Sequence, residues 1–410
     1  LISSQCDVNN LVAIGHGHSL REQQAQLTAT GNWNSAANRL DAKVATIATT
    51  SWSLRGDDVV VQFKPTGPPD VNARLALRSD LRRTIASVRE ARAAPTTGVR
   101  GIATGDVLLT VVDGIATADV VSQVENLVVE TPAQPPAASG PAVRPVATSR
   151  AMNTLWTDRQ LKLAGRVVYH PAADKLQIPK FEAETNGAKL LCAGELTSLS
   201  ATPSVNIQGQ ADYNLAALVQ RLQPALGSNI QLVGSDTAKF AVQGPLAVTA
   251  TAAGDTAEAS TAGGSGTANT ARVPPDLQAS TQFKWESAKL YGLPIGEGEF
   301  HGQLRKGILD IKPISVAVND GRLNLSPRFY LNEAPATMTL DRGPLLENVE
   351  LTPEMCRDWL KYVAPLLADA TQCQGRISAQ IDRAAFPIDA PETGSLAGTL
   401  TILGADVRAG

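Results

Sequence analysis

The sequence predicts a mainly β protein: an elongated, curved antiparallel sheet, a repeating groove or trough, with about one short amphipathic helix per repeat. Three observations lead there. Apolar and polar residues alternate over many short runs, as in Leu27-Thr28-Ala29-Thr30-Gly31-Asn32-Trp33, the period of a strand that buries one face and wets the other. Tight-turn pairs separate such runs at Asp113-Gly114, Lys306-Gly307 and Asn319-Asp320-Gly321, where glycine supplies positive φ and antiparallel hairpins follow. A faint repeat runs through the chain: Trp33 to Leu40 returns as Tyr169 to Leu176, an offset of 136 (169 − 33).

The elements follow in chain order. The start, Leu1-Ile2-Ser3-Ser4-Gln5-Cys6, has no Met and no charged-then-apolar leader, and reads as internal to a longer protein. Residues 1–130 make a first β module with a helix near 81–92, where Ser79-Asp80 caps Leu81, Ile85 and Val88. Residues 131–150, rich in Pro and Ala, are a linker. Residues 151–249 make a second module, with Leu161, Leu163 and Val167 alternating against Lys162, Ala164 and Arg166. Its helix near 215–223 carries Leu215, Leu218, Val219 and Leu222, and Leu215 follows Leu81 by 134 (215 − 81). Residues 250–275 are a low-complexity insertion centred on Gly263-Gly264-Ser265-Gly266, too poor in apolar surface to offset chain entropy. Residues 276–410 make a third module. There Phe300 and Leu304 alternate with a polar stripe from Glu297 to Arg305, Arg322-Leu323-Asn324-Leu325 matches the segment around Leu40, and Thr352-Pro353-Glu354 starts a helix near 354–368.

Composition narrows the function. Hydrophobic residues are 43% of the 410 but aromatic residues only 4%, so the apolar face is aliphatic. Five Trp and five Tyr are too few to build stacking platforms for carbohydrate. A net charge of −3 gives no polycation for nucleic acid, and no apolar run reaches the ~20 residues of a spanning helix. The four cysteines have no metal-ligand spacing, and Cys356 and Cys373 flank the third helix too far apart for a disulfide.

No constellation reads as catalytic. His16 and His18 share a strand face in Gly15-His16-Gly17-His18, but no third ligand accompanies them, and they read as exposed strand residues rather than a metal site. Gly292, Gly296, Gly298 and Gly302 lack the Lys-Ser/Thr ending of a phosphate loop. No Gly-x-Ser-x-Gly elbow occurs. Arg82 and Arg83, within a basic run from Arg74 to Arg92, are candidate contacts for anionic headgroups, against the plainer reading of a solvated helix face.

The stretch from Lys289 through Gly292-Leu293-Pro294-Ile295-Gly296 to Phe300, then Gly307-Ile308-Leu309-Asp310-Ile311 and Val318-Asn319-Asp320-Gly321-Arg322-Leu323, resembles the C-terminal region of AsmA-like proteins, envelope relatives of the bridge-like lipid-transfer proteins. The resemblance is best over about residues 280–410. It implies repeating β-groove modules with an apolar inside, a place in the bacterial periplasm or cell envelope with any anchor outside these residues, and a part in phospholipid movement or outer-membrane biogenesis. The expectation is a non-enzymatic, lipid-handling segment without cofactor or nucleic acid, whose partners are phospholipid and envelope membranes or membrane proteins. By alternation Leu27, Trp33, Leu161, Leu163, Val167, Phe300, Leu304, Leu309 and Ile311 carry the acyl chains. The alternatives are a structural or adhesive surface β-protein with a sealed core and a carbohydrate-binding β-protein.

Overall fold

The computed structural model describes residues 2–15, 18–88, 98–132, 152–226, 229–246, 273–290, 293–352, 370–388 and 390–409. The fold is mainly β, an open antiparallel sheet of 25 strands with two short α-helices among the described residues. Two compact units divide the chain: residues 1–195 with 217–227, and residues 196–216 with 228–410.

The first unit is a meander. Strands β1 (Ile2–Gly15), β2 (His18–Asn34), β3 (Arg39–Thr49), β4 (Trp52–Gln62) and β5 (Asp70–Asp80) pair in sequence. Helix α1 (Leu81–Val88) interrupts before β6 (Gly98–Val112), which pairs back onto β5. Strands β7 (Ile115–Pro132), β8 (Met152–His170), β9 (Lys175–Thr185) and β10 (Ala188–Thr197) continue the meander. Hairpin chemistry sets these joints. Asp113 and Gly114 take φ of 50° and 79°, the left-handed pair of a tight hairpin turn. Asn38 and Asp174, which are 136 apart (174 − 38), both turn left-handed, at 47° and 48°. The Asp80 carboxylate accepts from the Arg83 backbone N–H at 3.2 Å and so caps α1. Helix α1 touches β2, β5 and β6.

Strand β11 (Ser204–Asn214) of the second unit leads directly into α2 (Leu215–Leu226), most of which belongs to the first unit, as β5 leads into α1. Strands β12 (Ile230–Val233) and β13 (Ser235–Pro245) follow, and β13 pairs with β11. Beyond residue 277 each long arm is broken once. The pieces are β14 (Gln278–Trp285) and β15 (Ser287–Leu290), β16 (Leu293–Ile295) and β17 (Gly298–Arg305), β18 (Ile308–Ile311) and β19 (Ile314–Val318), β20 (Gly321–Leu325) and β21 (Pro327–Tyr330), β22 (Thr337–Leu340) and β23 (Gly343–Glu350). One set of pieces makes the ladder β11-β13-β14-β17-β18-β21-β22 and the other β12-β15-β16-β19-β20-β23. Strand β24 (Ala370–Pro387) joins them, pairing β22 through residues 384–387 and β23 through residues 376–381, and β25 (Ser395–Ala409) lies along β24.

The third copy of the repeat sits one strand earlier than sequence matching places it. The hairpin Trp33↔Leu40 recurs as Tyr169↔Leu176 and then as Leu304↔Leu309. Leu323 lies in β20, the fourth arm of its module, and is not the counterpart of Leu40. Glycines and short apolar pairs recur in every arm, so the pattern alone admits a slip of one hairpin. The helices expected near 81–92 and 215–223 are present as α1 and α2. The one expected near 354–368, most of the 131–150 linker and most of the 250–275 insertion lie outside the described residues.

The densest core is in the second unit. Ile377 and Val349 are fully buried and Val318 nearly so, and with Ile295, Val316 and Leu346 they form one cluster on the second ladder. The first unit differs: its buried apolar strand residues are Ala25, Ala42, Ala73 and Val124.

Candidate functional site: an apolar sheet face in each unit

Residues directly opposite each other across antiparallel strands share a face, so register alone sorts side chains. In the first unit one row runs Leu27↔Ile47↔Leu54↔Leu77↔Gly105↔Ser122↔Leu163↔Ala183 across eight strands. A second runs Trp33↔Leu40↔Val61↔Val71↔Val111↔Ala116↔Tyr169↔Leu176. Leu161 opposes Val124, and Val167 opposes Ala118, on the same face. Leu27, Trp33, Leu161, Leu163 and Val167, far apart in sequence, therefore stand on one surface.

The reverse face is polar. Its corresponding row is Thr28↔Thr46↔Arg55↔Ala76↔Asp106↔Val121↔Ala164↔Glu182. Ion pairs tie neighbouring strands there. Arg166 grips Asp119 through Nε–Oδ1 at 2.7 Å and Nη2–Oδ2 at 2.9 Å, and this guanidinium holds the Asp119 carboxyl below the ordinary carboxylate range. Lys189 lies 2.7 Å from Glu182 and lowers its pKa in the same way. Val121, 63% exposed, is the one large apolar side chain in this row, beside the small Ala76 and Ala164.

The second unit repeats the sorting. One row runs Ile207↔Val242↔Ala279↔Leu304↔Leu309↔Phe329↔Met338↔Phe386, apolar at all eight positions. Phe300 stacks on its cross-strand partner Phe283 with centroids 4.8 Å apart, and Ile311 opposes Gly302. The polar row beside it is Ala241↔Ser280↔Gln303↔Asp310↔Arg328↔Thr339. All four candidates from this segment share its apolar face.

Exposure distinguishes a usable face from a sealed one. On the apolar face of the first unit Leu27 is 39% exposed, Trp33 44%, Leu77 37% and Tyr169 37%, while Leu161, Leu163 and Val167 are half-buried. Trp33 packs edge-on against Phe63 at 5.6 Å. Glycine also permits close strand packing on this face. A Cβ on Gly105 would sit 2.6 Å from the Ser122 Cβ, where cross-strand Cβ atoms normally stand about 4.5–5.5 Å apart. One on Gly165 would meet the Lys180 carbonyl at 2.9 Å. Glycine at these points lets neighbouring strands approach where a side chain would not fit.

Hollows of about 500 and 680 Å³ lie instead on the polar faces, the first beside Asp106, Lys162 and Glu182 and the second beside Gln303, Asp310 and Arg328. Of the headgroup candidates, Arg82 and Arg83 are both exposed on α1. Arg83 reaches the Thr50 carbonyl at 3.4 Å and Asp80 at 3.6 Å. His16 falls outside the described residues. No helix among them is long and apolar enough to cross a membrane.

The fold and this face define a mainly β protein whose strands present one apolar and one polar side. No family model, curated protein or solved structure matches the chain.

Proposed function

We propose that this chain is a lipid-handling segment of a bacterial envelope protein, holding or conducting phospholipid acyl chains along the apolar face during outer-membrane biogenesis. One observation carries the reading: apolar rows eight strands wide whose large side chains in the first unit remain partly in water. Such surface is penalised by about 25 cal/mol per Å² until something covers it. An acyl chain suits it because the rows are chiefly Leu, Val, Ile and Ala, which offer area without directional hydrogen bonds. The resemblance of residues 280–410 to AsmA-like proteins points the same way and supports a periplasmic or envelope location. Arg82 and Arg83 are then available to phosphate headgroups. The role proposed for the segment is transport rather than catalysis.

A structural or adhesive role is the second reading, favoured by the sealed cluster around Ile377 in the second unit. Mass spectrometry of material extracted from purified protein separates the two. The lipid reading expects co-purifying phospholipid, and photo-crosslinkers at Leu163 and Leu304 that label it while those at Lys162 and Gln303 do not. Folded protein carrying no lipid, or equal labelling at neighbouring positions, favours the structural reading.

A further inference from the structure

Two buried carboxylates take no part in the apolar rows: Glu22 in β2, 3% exposed, and Asp158 in β8, 5% exposed. They stand 136 apart (158 − 22), the spacing of the repeat. Each lies across from the leucine that follows a left-handed asparagine in the preceding strand. Asn10, at 55°, drops out of the ladder beside Leu11↔Glu22, and Asn126, at 51°, drops out beside Leu127↔Asp158.

Each carboxylate also meets a hydroxyl where the next hairpin turns. Glu22 accepts from Thr50 Oγ1 at 2.8 Å and from Ser51 Oγ. Asp158 accepts from Thr185 Oγ1. The helix of the repeat is fastened at the same point. In the first repeat Thr84 Oγ1 of α1 donates to the Ser51 carbonyl at 3.2 Å and lies 2.8 Å from Ser79 Oγ. In the second, Nη1 of Arg221 on α2 donates to Asp158 and, at 2.9 Å, to Thr185 Oγ1. The first fastening is made by hydroxyls. The second is a nearly enclosed ion pair, with side-chain exposures of 14% for Arg221 and 2% for Asp158.

We infer that α2 is a strap held by the Asp158–Thr185–Arg221 clasp, which releases as a unit when the clasp is broken while the strands stay paired, and that α1 is a weaker, hydroxyl-fastened version of it. Apolar anchoring of α2 is confined to one stripe, with Leu218 and Leu222 half-buried beside two buried residues. Leu215 and Val219 are its buried side chains, and Ala217 abuts the hairpin at Gly187, where an added Cβ would lie 2.8 Å away. Breaking one side of an enclosed ion pair strands the other charge, so docking depends on the clasp being complete. On the lipid-handling reading, on which this consequence alone rests, an open strap widens access to the strand ends of the apolar face.

Amide hydrogen exchange on the full chain tests the strap without any lipid. Arg221→Met and Asp158→Asn should each speed exchange across residues 215–226 at least tenfold and leave β8 and β9 within about twofold of wild type. Arg221→Lys, which keeps the charge, should stay within about threefold on α2. Unchanged exchange on α2 in the first two variants, or equal acceleration in β8 and β9, overturns the inference. So does an Arg221→Lys protein whose exchange on α2 rises tenfold or more over wild type, and that variant remains decisive if the other two fail to fold. Loss of the clasp with wild-type lipid content would leave the strap standing and remove only its bearing on lipid.

Discussion

Leu163→Asp is the sharpest perturbation of the proposed lipid path. Leu163 is half-buried and sits between two small cross-strand neighbours, Ser122 and Ala183, so an acyl chain laid along the row would rest on it. Each methylene that leaves water for this surface gains about 0.8 kcal/mol. An aspartate there meets the chain with a carboxylate. The most it can cost is the price of protonation: moving a group of ordinary pKa ~3.9 to neutrality at pH 7 takes about 4 kcal/mol at 1.36 kcal/mol per pKa unit. At 1.4 kcal/mol per decade, acyl-probe affinity should fall up to about a thousandfold. Lys162→Asp moves the same charge to the opposite face, where Lys162 is 56% exposed beside Glu184, and should change affinity by less than about threefold. Titration of a fluorescent fatty-acyl probe into protein checked for folding by circular dichroism reads both. Equal affinity in Leu163→Asp and wild type, or equal damage from Lys162→Asp, would refute the reasoning.

Two further outcomes concern stability. Ile377→Ala opens a cavity in the most enclosed cluster and should cost about 2–5 kcal/mol, read as a lowered denaturant midpoint, whereas Leu27→Ala on the exposed face should cost far less. Asp119→Asn should lower thermal stability at neutral pH and approach wild type in acid. Its folded pKa is depressed by Arg166, so its contribution is full above the unfolded value of about 4 and is lost as pH falls through the folded value. A difference that persists unchanged at low pH would count against that assignment.

Much of the face was legible in the sequence because a strand has a period of two and a hairpin conserves it. Once Asp113-Gly114, Lys306-Gly307 and Asn319-Asp320-Gly321 fix their turns, Leu304 must oppose Leu309 and Val316 must oppose Leu323. Helix starts at Leu81 and Leu215 were legible from the polar residues that precede them. The breaks in the arms of the second unit were not. Lys312-Pro313 and Gly296-Glu297 mark two of them, but Ser326 and Glu286 carry no such sign, and the break depends on pairing to a different neighbour. The clasp was missed for a related reason. The irregularities at Asn10 and Asn126 shift strand parity, so Glu22 and Asp158 read as solvent-facing by alternation although both are buried. Their common 136-residue spacing was the available signal.

The contrast between the two units argues against treating alternation itself as evidence of a sealed core. Both carry apolar rows of the same width, yet among the described residues the large side chains that become fully buried lie where β16, β19, β20, β23 and β24 bring Ile295, Val318, Val349 and Ile377 into one cluster. In the first unit the buried apolar residues on the described strands are Ala25, Ala42, Ala73 and Val124, three of them alanines short enough to be covered by their neighbours, while Leu27, Leu77 and Trp33 on the same face stay accessible. A sheet that needed this face only for its own stability would gain by covering those larger side chains, at about 25 cal/mol per Å². Small residues and glycines where strands pack closely, with larger side chains left in contact with solvent, are instead what a surface requires if it must admit a chain and later release it.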